Sequence, residues 1–422
     1  MRKGNKAALA TKLESYGPWE GLVSDEYQYV VDGGHLLHKV VWPRPAVYRD
    51  IFQAYTGYVL NHYGKNATVV FDGYPVTPTT KSQEQNRRAS KHCSIEVAVE
   101  EEFYTTLPQA DFLCNKRNKT QLINKLKEYL QSAGITVIVA NDDADTSIVQ
   151  TAWSLEDTGH NIAVVGDDTD LLVLLVSLSK SSTKILFIKP GKAHNPNKTY
   201  DISKLQANMG HLRQHLLFLH AVTGCDTTSA IYGKGKKRSF DILKNSQDMC
   251  NKVSVFDNPA ASKDEVAKAG EIFLLSVYGA DKIQTLDKYR FYAYKRTVAK
   301  MSLKSEFQLS TLPPTSDAAR WHSFRVFLQV QNWHGNHLSP VEWGWESCGT
   351  GLKAIPSIKP PAPDDLLHLV SCNCRKGCRH QCECRRAGLS CSSMCGQCRG
   401  AGCENSLPFE EDTEEDTEII EN

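Results

Sequence analysis

The stretch Val164–Leu172 reads VVGDDTDLL: two apolar residues run into Gly166, three carboxylates follow at Asp167, Asp168 and Asp170, and an apolar run resumes at Leu171. Apolar residues that stop at a glycine and a cluster of acids describe a buried strand ending at the carboxyl edge of a sheet. Open α/β sheets place their ligand sites at that edge. Three acids within four residues repel one another, and a divalent cation is the usual compensation.

Three other apolar runs end the same way. Tyr27–Val31 (YQYVV) leads to Asp32, Ala67–Phe71 (ATVVF) to Asp72, and Ile135–Ala140 (ITVIVA) to Asp142, Asp143 and Asp145. Between them the spacing predicts helices over Ala46–Tyr63, from about Lys81, over Gln121–Ser132 and from Ala144 to Thr158. A further strand is predicted over Lys184–Ile188, and a helix over His211–Thr223 that runs into Gly224, Cys225 and Asp226. Alternating strands and helices predict an α/β domain with a mostly parallel sheet. Residues 100–118 carry no assignment. One acidic strand end is a turn, and some of these aspartates also suit helix N-caps. Four acidic ends at one sheet edge point to a metal site.

Asp226–Leu243 reads DTTSAIYGKGKKRSFDIL. Two helices are predicted to flank Gly233, Lys234 and Gly235, with Lys236, Lys237 and Arg238 opening the second. Glycines allow close approach of the backbone to a phosphate, helix-start N–H groups bind it, and the basic side chains add charge. The P-loop spacing is absent.

These motifs, in this order and spacing, resemble the flap endonuclease (XPG-like) 5′ nucleases over roughly residues 27–300, and IYGKGKKRSFDIL resembles that family's helix–two-turn–helix without gaps. The resemblance implies a PIN-like 5′ nuclease core in which Asp32, Asp72, Asp143, Asp145, Asp168, Asp170 and Asp226 hold two Mg²⁺ or Mn²⁺ ions. It implies that Lys81 and Arg88, which lie on one face of a helix, steer the scissile phosphate, and that the hairpin grips duplex DNA with a K⁺ on its carbonyls. Asp143 and Asp145 stand where the family usually has Glu, Lys234 where it has an apolar residue, and Lys236 where it commonly has Pro. The family's N-terminal start and helical arch have no recognisable counterpart.

The chain of 422 residues carries a net charge of +1, unevenly spread. Nine of its 14 cysteines fall between Cys372 and Cys403. Cys372, Cys374, Cys378, Cys382, Cys384, Cys391, Cys395, Cys398 and Cys403 are interleaved with little apolar sequence. In a reducing compartment such a cluster signals metal rather than disulfides. Zinc takes four thiolates; nine cysteines serve three zinc ions if three of them bridge. The spacing resembles the tesmin/TSO1-type CXC domain, which implies three zinc ions and DNA binding. Arg375, Lys376, Arg379, Arg385 and Arg386 supply a basic surface suited to phosphate.

The organisation expected is an N-terminal extension over 1–26, a nuclease domain over 27–303 with its hairpin at 226–243, a tryptophan-containing segment and Pro-rich linker over 304–365, a CXC zinc domain over 366–408, and an acidic tail over 409–422. The four tryptophans of that segment, Trp321, Trp333, Trp343 and Trp345, read as core. Neither an apolar leader nor a run long enough for a bilayer is present, so the chain reads as an intracellular protein placed in the nucleus by its partners. The function expected is metal-dependent hydrolysis of branched, flapped or 5′-ended DNA. The alternatives are an inactive nuclease fold that binds DNA or chromatin, mobile-element derived, and an RNase.

Overall fold

The structure is a computed structural model. It describes residues 7–17, 27–73, 79–81, 95–141, 143–191, 196–300, 311–349 and 351–358, and in the cysteine-rich part 372, 374, 377–379, 382–386, 391, 395–399 and 403–405. Arg88, Asp142, Arg375 and Lys376 lie outside the described residues. The chain divides into two compact units, Met1–Phe273 with Arg320–Ile355, and Leu274–Ala319 with Pro356–Asn422.

The first unit is built on a six-stranded sheet: β1 (Tyr27–Asp32), β2 (Thr68–Phe71), β3 (Thr136–Val139), β4 (Asn161–Val165), β5 (Ile185–Lys189) and β6 (Lys198–Asp201). The order is β3-β2-β1-β4-β5-β6. Every pairing is parallel except β5 with β6. The fold is therefore α/β with a mostly parallel sheet, as the alternation of elements predicts. The chain first builds outward from β1 through β2 to β3, then returns to β4 on the other side of β1. The crevice between β1 and β4 is the topological switch point, where such sheets bind ligands.

β2 is buried along its whole length and β4 from Ile162 onward, which is what strands covered by helices on both faces require. On one face, Val31, Val69 and Val165 join Phe52 and Tyr55 of the helix Tyr48–Tyr63 and Leu122 and Leu126 of the helix Lys116–Ser132 in one core. The helix Ala144–Asp157 packs against β1, β2 and β4.

Segment 95–118 is held partly by backbone bonds to the start of the helix Tyr48–Tyr63, from the Tyr48 N–H to the Phe103 carbonyl and from the Arg49 N–H to the Glu101 carbonyl, and partly by side chains. Fully buried Asn118 accepts the Val97 N–H at 2.9 Å and donates to the Ile95 carbonyl at 2.9 Å. Gln109, opening the short helix Gln109–Cys114, donates to the carbonyls of Leu37 and Val40 at 2.9 and 2.8 Å.

Only one of the two helices expected around the Gly-Lys-Gly turn forms. Lys236–Asn245 is helical, but Asp226–Gly235 is irregular and the preceding helix is Leu216–Val222. Hydroxyl groups divert the chain there. Thr228 Oγ1 donates to the Ala221 carbonyl at 2.6 Å and accepts the Cys225 N–H at 3.1 Å, while Thr227 donates to Gln329 Oε1 at 2.6 Å. Gly224 sits at φ +103°, and a Cβ there would lie 2.8 Å from the Ala230 nitrogen.

Arg320–Ile355, expected to belong to a separate tryptophan-containing segment after the nuclease domain, is part of the first unit. Trp333, Trp343 and Trp345 are buried in it. In the second unit, Asp287 and Ser316 exchange two hydrogen bonds at 3.2 and 2.9 Å, joining the start of the helix Leu286–Lys300 to residue 316.

Candidate active site

Strand register brings the acids level. Asp32 at the end of β1 pairs with Val70 of β2, two residues short of Asp72, while Val31 pairs with Val165 of β4, just before Gly166. Asp72 accepts the Ala144 N–H at 3.1 Å, which fixes the end of β2 to the start of the next helix. Gly73 must be glycine: a Cβ would stand 1.8 Å from the Ala140 carbonyl oxygen.

Three of the acids are helix N-caps, and capping does not exclude a second role. Asp32 Oδ1 accepts the N–H groups of Gly34 and His35 at 2.8 and 3.2 Å. Asp143 and Asp168 each take one N–H, from Asp145 at 3.4 Å and from Asp170 at 3.0 Å. Each cap uses Oδ1 and leaves Oδ2 to the site, with the helix dipole favouring the negative charge.

The charges are coupled. Burial, then the negative charges of Asp72 and Asp168, push the Asp32 carboxyl up to about 7, against the N–H groups that lower it. Burial and Asp143 likewise hold Asp145 well above the usual carboxylate range, with Asp168 and Asp170 adding to the effect. Lys81 is embedded among the acids. Its ammonium pairs with Asp143, and with Asp145 at 3.8 Å. Burial acts to lower its pKa, but Asp143, Asp145 and Asp226 hold it well above the ordinary lysine value. Thus all seven aspartates, contributed by four strand ends and the loop after Gly224, share one electrostatic neighbourhood. Asp167 turns aside to Lys189 at 3.5 Å. The side chain of Asp170 is 6% exposed and accepts from His220 Nε2 at 2.9 Å.

The donor set fits hard divalent cations: it is all carboxylate, carries more negative charge than Lys81 neutralises, and keeps an oxygen of each cap uncommitted by capping. Among the described residues, the groups of ligand atoms within 4.8 Å of one another are all cysteines.

On the hairpin, Gly233 takes φ +60°, and Lys237 and Arg238 are exposed. Lys234 is half-buried, and burial and the nearby Arg238 charge lower its pKa. Lys236 does not face solvent as a phosphate contact would. It is 3% exposed, and its ammonium donates to the Gly224 carbonyl and Thr223 Oγ1 at 2.9 Å each. Burial inside the fold, not contact with a ligand, accounts for its position.

The cysteine cluster is a separate centre, in the second unit. Its thiols are unpaired by disulfides, and Sγ atoms of Cys372–Cys378, Cys372–Cys391, Cys382–Cys391 and Cys384–Cys395 approach to 3.7, 3.7, 3.7 and 3.5 Å. Four thiolates at about 2.3 Å from a tetrahedral zinc stand about 3.8 Å apart. The spacing of these pairs is that of thiolates sharing one zinc. Cys372 belongs to all three candidate ligand groups, and Cys378, Cys382 and Cys391 to two each, the sharing that bridging thiolates require. Cys374 and Cys398 complete groups, and Cys403 packs at the edge of the same cluster. Arg385 is exposed and Arg379 pairs with Glu404 at 2.9 Å.

His220 and Gln329, which hold the carboxylate and the loop beside it, have no motif. His220 lies in the apolar run LLFLHAV, where a polar residue in a buried helix was the one available signal.

No family model matches the chain. It is similar to flap endonuclease 1 of Enterocytozoon bieneusi (strain H348), 23% identical over 208 residues, which covers 47% of this chain and 54% of that protein. It is also similar to flap endonuclease 1 of Drosophila yakuba, 27% identical over 235 residues, covering 52% and 56%. The chain thus spans about half the length of the curated relatives it matches. Among solved structures, the catalytic core of Rad2 in complex with DNA substrate aligns over 78% of this chain and 95% of its own, at 17% identity and a TM-score of 0.40. No helix among the described residues is long and apolar enough to cross a membrane.

Proposed function

We propose that this chain is a divalent-metal-dependent nuclease that hydrolyses phosphodiester bonds in DNA, tethered to a zinc-binding module that adds a second nucleic-acid contact. The observation that carries the reading is the convergence of seven aspartates and Lys81 at the carboxyl edge of the sheet beside its switch point. The partial likeness to two flap endonucleases supports it.

Asp32, Asp72, Asp143, Asp145, Asp168, Asp170 and Asp226 would hold two Mg²⁺ or Mn²⁺ ions. Bound there, the pair supplies a water-derived nucleophile at neutral pH and stabilises charge on the leaving oxygen. The N-capping hydrogen bonds orient Asp32, Asp143 and Asp168. Lys81, with Arg88, draws the scissile phosphate toward the acids by charge. Gly233, Lys234, Gly235, Lys237 and Arg238 offer backbone N–H groups and positive charge to the duplex backbone, and a K⁺ on the carbonyls of that turn suits the same contact. The nine cysteines hold about three zinc ions, with Arg375, Lys376, Arg379, Arg385 and Arg386 directed to DNA. Two weak contacts on one substrate raise its effective concentration. A DNA substrate places the protein in the nucleus.

The test is incubation of labelled flap, nicked and single-stranded DNA, and matched RNA, with Mn²⁺, comparing wild type with Asp168→Asn and Asp170→Asn. Wild type is expected to cleave DNA and both variants to lose more than about 100-fold, because each removes charge from the metal site. DNA binding without cleavage in wild type would replace this reading with a non-catalytic binder, and cleavage of RNA alone with an RNase.

A further inference from the structure

A buried polar chain leads away from the carboxylates into the hairpin. Asp170 accepts from His220 Nε2 at 2.9 Å. His220 is fully buried, and its other ring nitrogen, Nδ1, lies 3.4 Å from the Lys236 ammonium. The same ammonium lies within hydrogen-bond reach of the carbonyls of His220 and Gly224 and of Thr223 Oγ1, at 3.3, 2.9 and 2.9 Å, so four acceptors share its three N–H groups. The imidazole packs parallel to Trp333, centroids 5.6 Å apart.

An ammonium has donors and no acceptor, so an Nδ1–H on His220 would set donor against donor beside a positive charge; the geometry favours a lone pair on Nδ1 and the ring proton on Nε2. That is the nitrogen facing Asp170. Lys236 therefore fixes the tautomer, Trp333 fixes the ring plane, and His220 presents a single N–H to one carboxylate oxygen. Lys236 also satisfies carbonyls at the C-terminal end of the helix Leu216–Val222, which have no partner within the helix. The Gly224 carbonyl lies two residues before Asp226, so one cation anchors the supports of two carboxylates.

We infer that His220 is a positioning residue for Asp170 and that Lys236, at the first turn of the hairpin helix, holds His220 in the donating tautomer. The inference rests on the reading of Asp170 as a metal ligand. Partners of ligating carboxylates typically carry about 10–100-fold in metal affinity or activity.

The experiment is Mn²⁺ binding by the full-length, zinc-loaded chain, followed by the loss of the free-ion electron paramagnetic resonance signal, with Asp168→Asn as the control for the aspartate site and thermal melts to establish folding. His220→Gln places its amide N–H where Nε2 stands; His220→Asn places it nearer Nδ1. Wild type and His220→Gln are expected to bind Mn²⁺ within about threefold of each other, His220→Asn and His220→Phe about 10–100-fold more weakly. Lys236→Met, which frees the proton to move to Nδ1, is expected to fall between. A rank order in which folded Gln and Asn variants bind alike would overturn the inference, as would folded His220→Phe at wild-type affinity. Asp168-dependent Mn²⁺ binding with the expected rank order but no cleavage of DNA would leave His220 as a positioning residue and remove only the nuclease reading. Failure of wild type to bind Mn²⁺ through Asp168 would overturn both.

Discussion

Single residues set the chemistry of the first unit's interior through what they cannot do. His322 is nearly buried, donates Nε2–H to the Val222 carbonyl at 2.9 Å, and is held down to about 4 by burial and by the Arg325 charge. Its neutral form is the one the fold accepts. The unfolded chain therefore binds the extra proton between pH 6.5 and 4, so stability is fully present above about 6.5 and lost as pH falls through about 4, on the order of 3 kcal/mol in all. Urea midpoints of wild type and His322→Gln at pH 7 and 4.5 check this: the variant is expected to show the smaller acid loss, and equal losses would refute it. The acids of the site were legible in the sequence because a carboxylate cluster straight after an apolar run has few other causes. Lys236 and His220 were not. One sits in a basic run that reads as solvated, the other in an apolar run that reads as core, and only the fold reveals that they meet.

Elements were legible where periodicity governs them. The strands ending in Asp32, Asp72 and the Asp143 and Asp168 loops follow their apolar runs closely. Where side chains direct the backbone, periodicity gives nothing: the expected first hairpin helix fails there, and the unassigned stretch 100–118 is held there in part. Thr227 and Thr228 undo the expected first hairpin helix. Gln109 holds the turn after the helix Gly33–Lys39 by donating to Leu37 and Val40 and accepting the Trp42 N–H at 3.2 Å. Gln109→Leu leaves these groups without that partner and is expected to cost about 1–3 kcal/mol, read as a lowered urea midpoint with unchanged slope. A midpoint within error of wild type would show that water substitutes for the amide.

At the scale of the whole molecule, the sheet-bearing unit and the cysteine-rich part are stabilised by different means. The first has an extensive apolar core, whereas the buried cluster of the cysteine-rich part consists of thiols. With zinc bound as proposed, metal supplies most of the folding free energy of the latter. Elemental analysis is expected to give about three zinc ions per chain, and a strong chelator to remove them with loss of protease resistance confined to residues 366–408. A zinc content near two, or resistance unchanged after removal, would reject the bridged cluster. The proline pair and the run of tryptophans suggested a boundary near residue 303, but hydrophobicity along the chain does not tell which body a helix packs into. Residues Arg320–Ile355 return to the first unit, bringing His322, Gln329 and Trp333 against Val222, Thr227 and His220. A ribosome emits the chain from its N-terminus, so the seven aspartates of the candidate site leave the exit tunnel well before the helix Ser316–Trp333 that braces the loop behind them. Until that helix follows, the nascent protein owns the seven clustered acids but lacks the floor that orders the loop behind them, and completion of the candidate site waits on the last stretch of the unit to be translated.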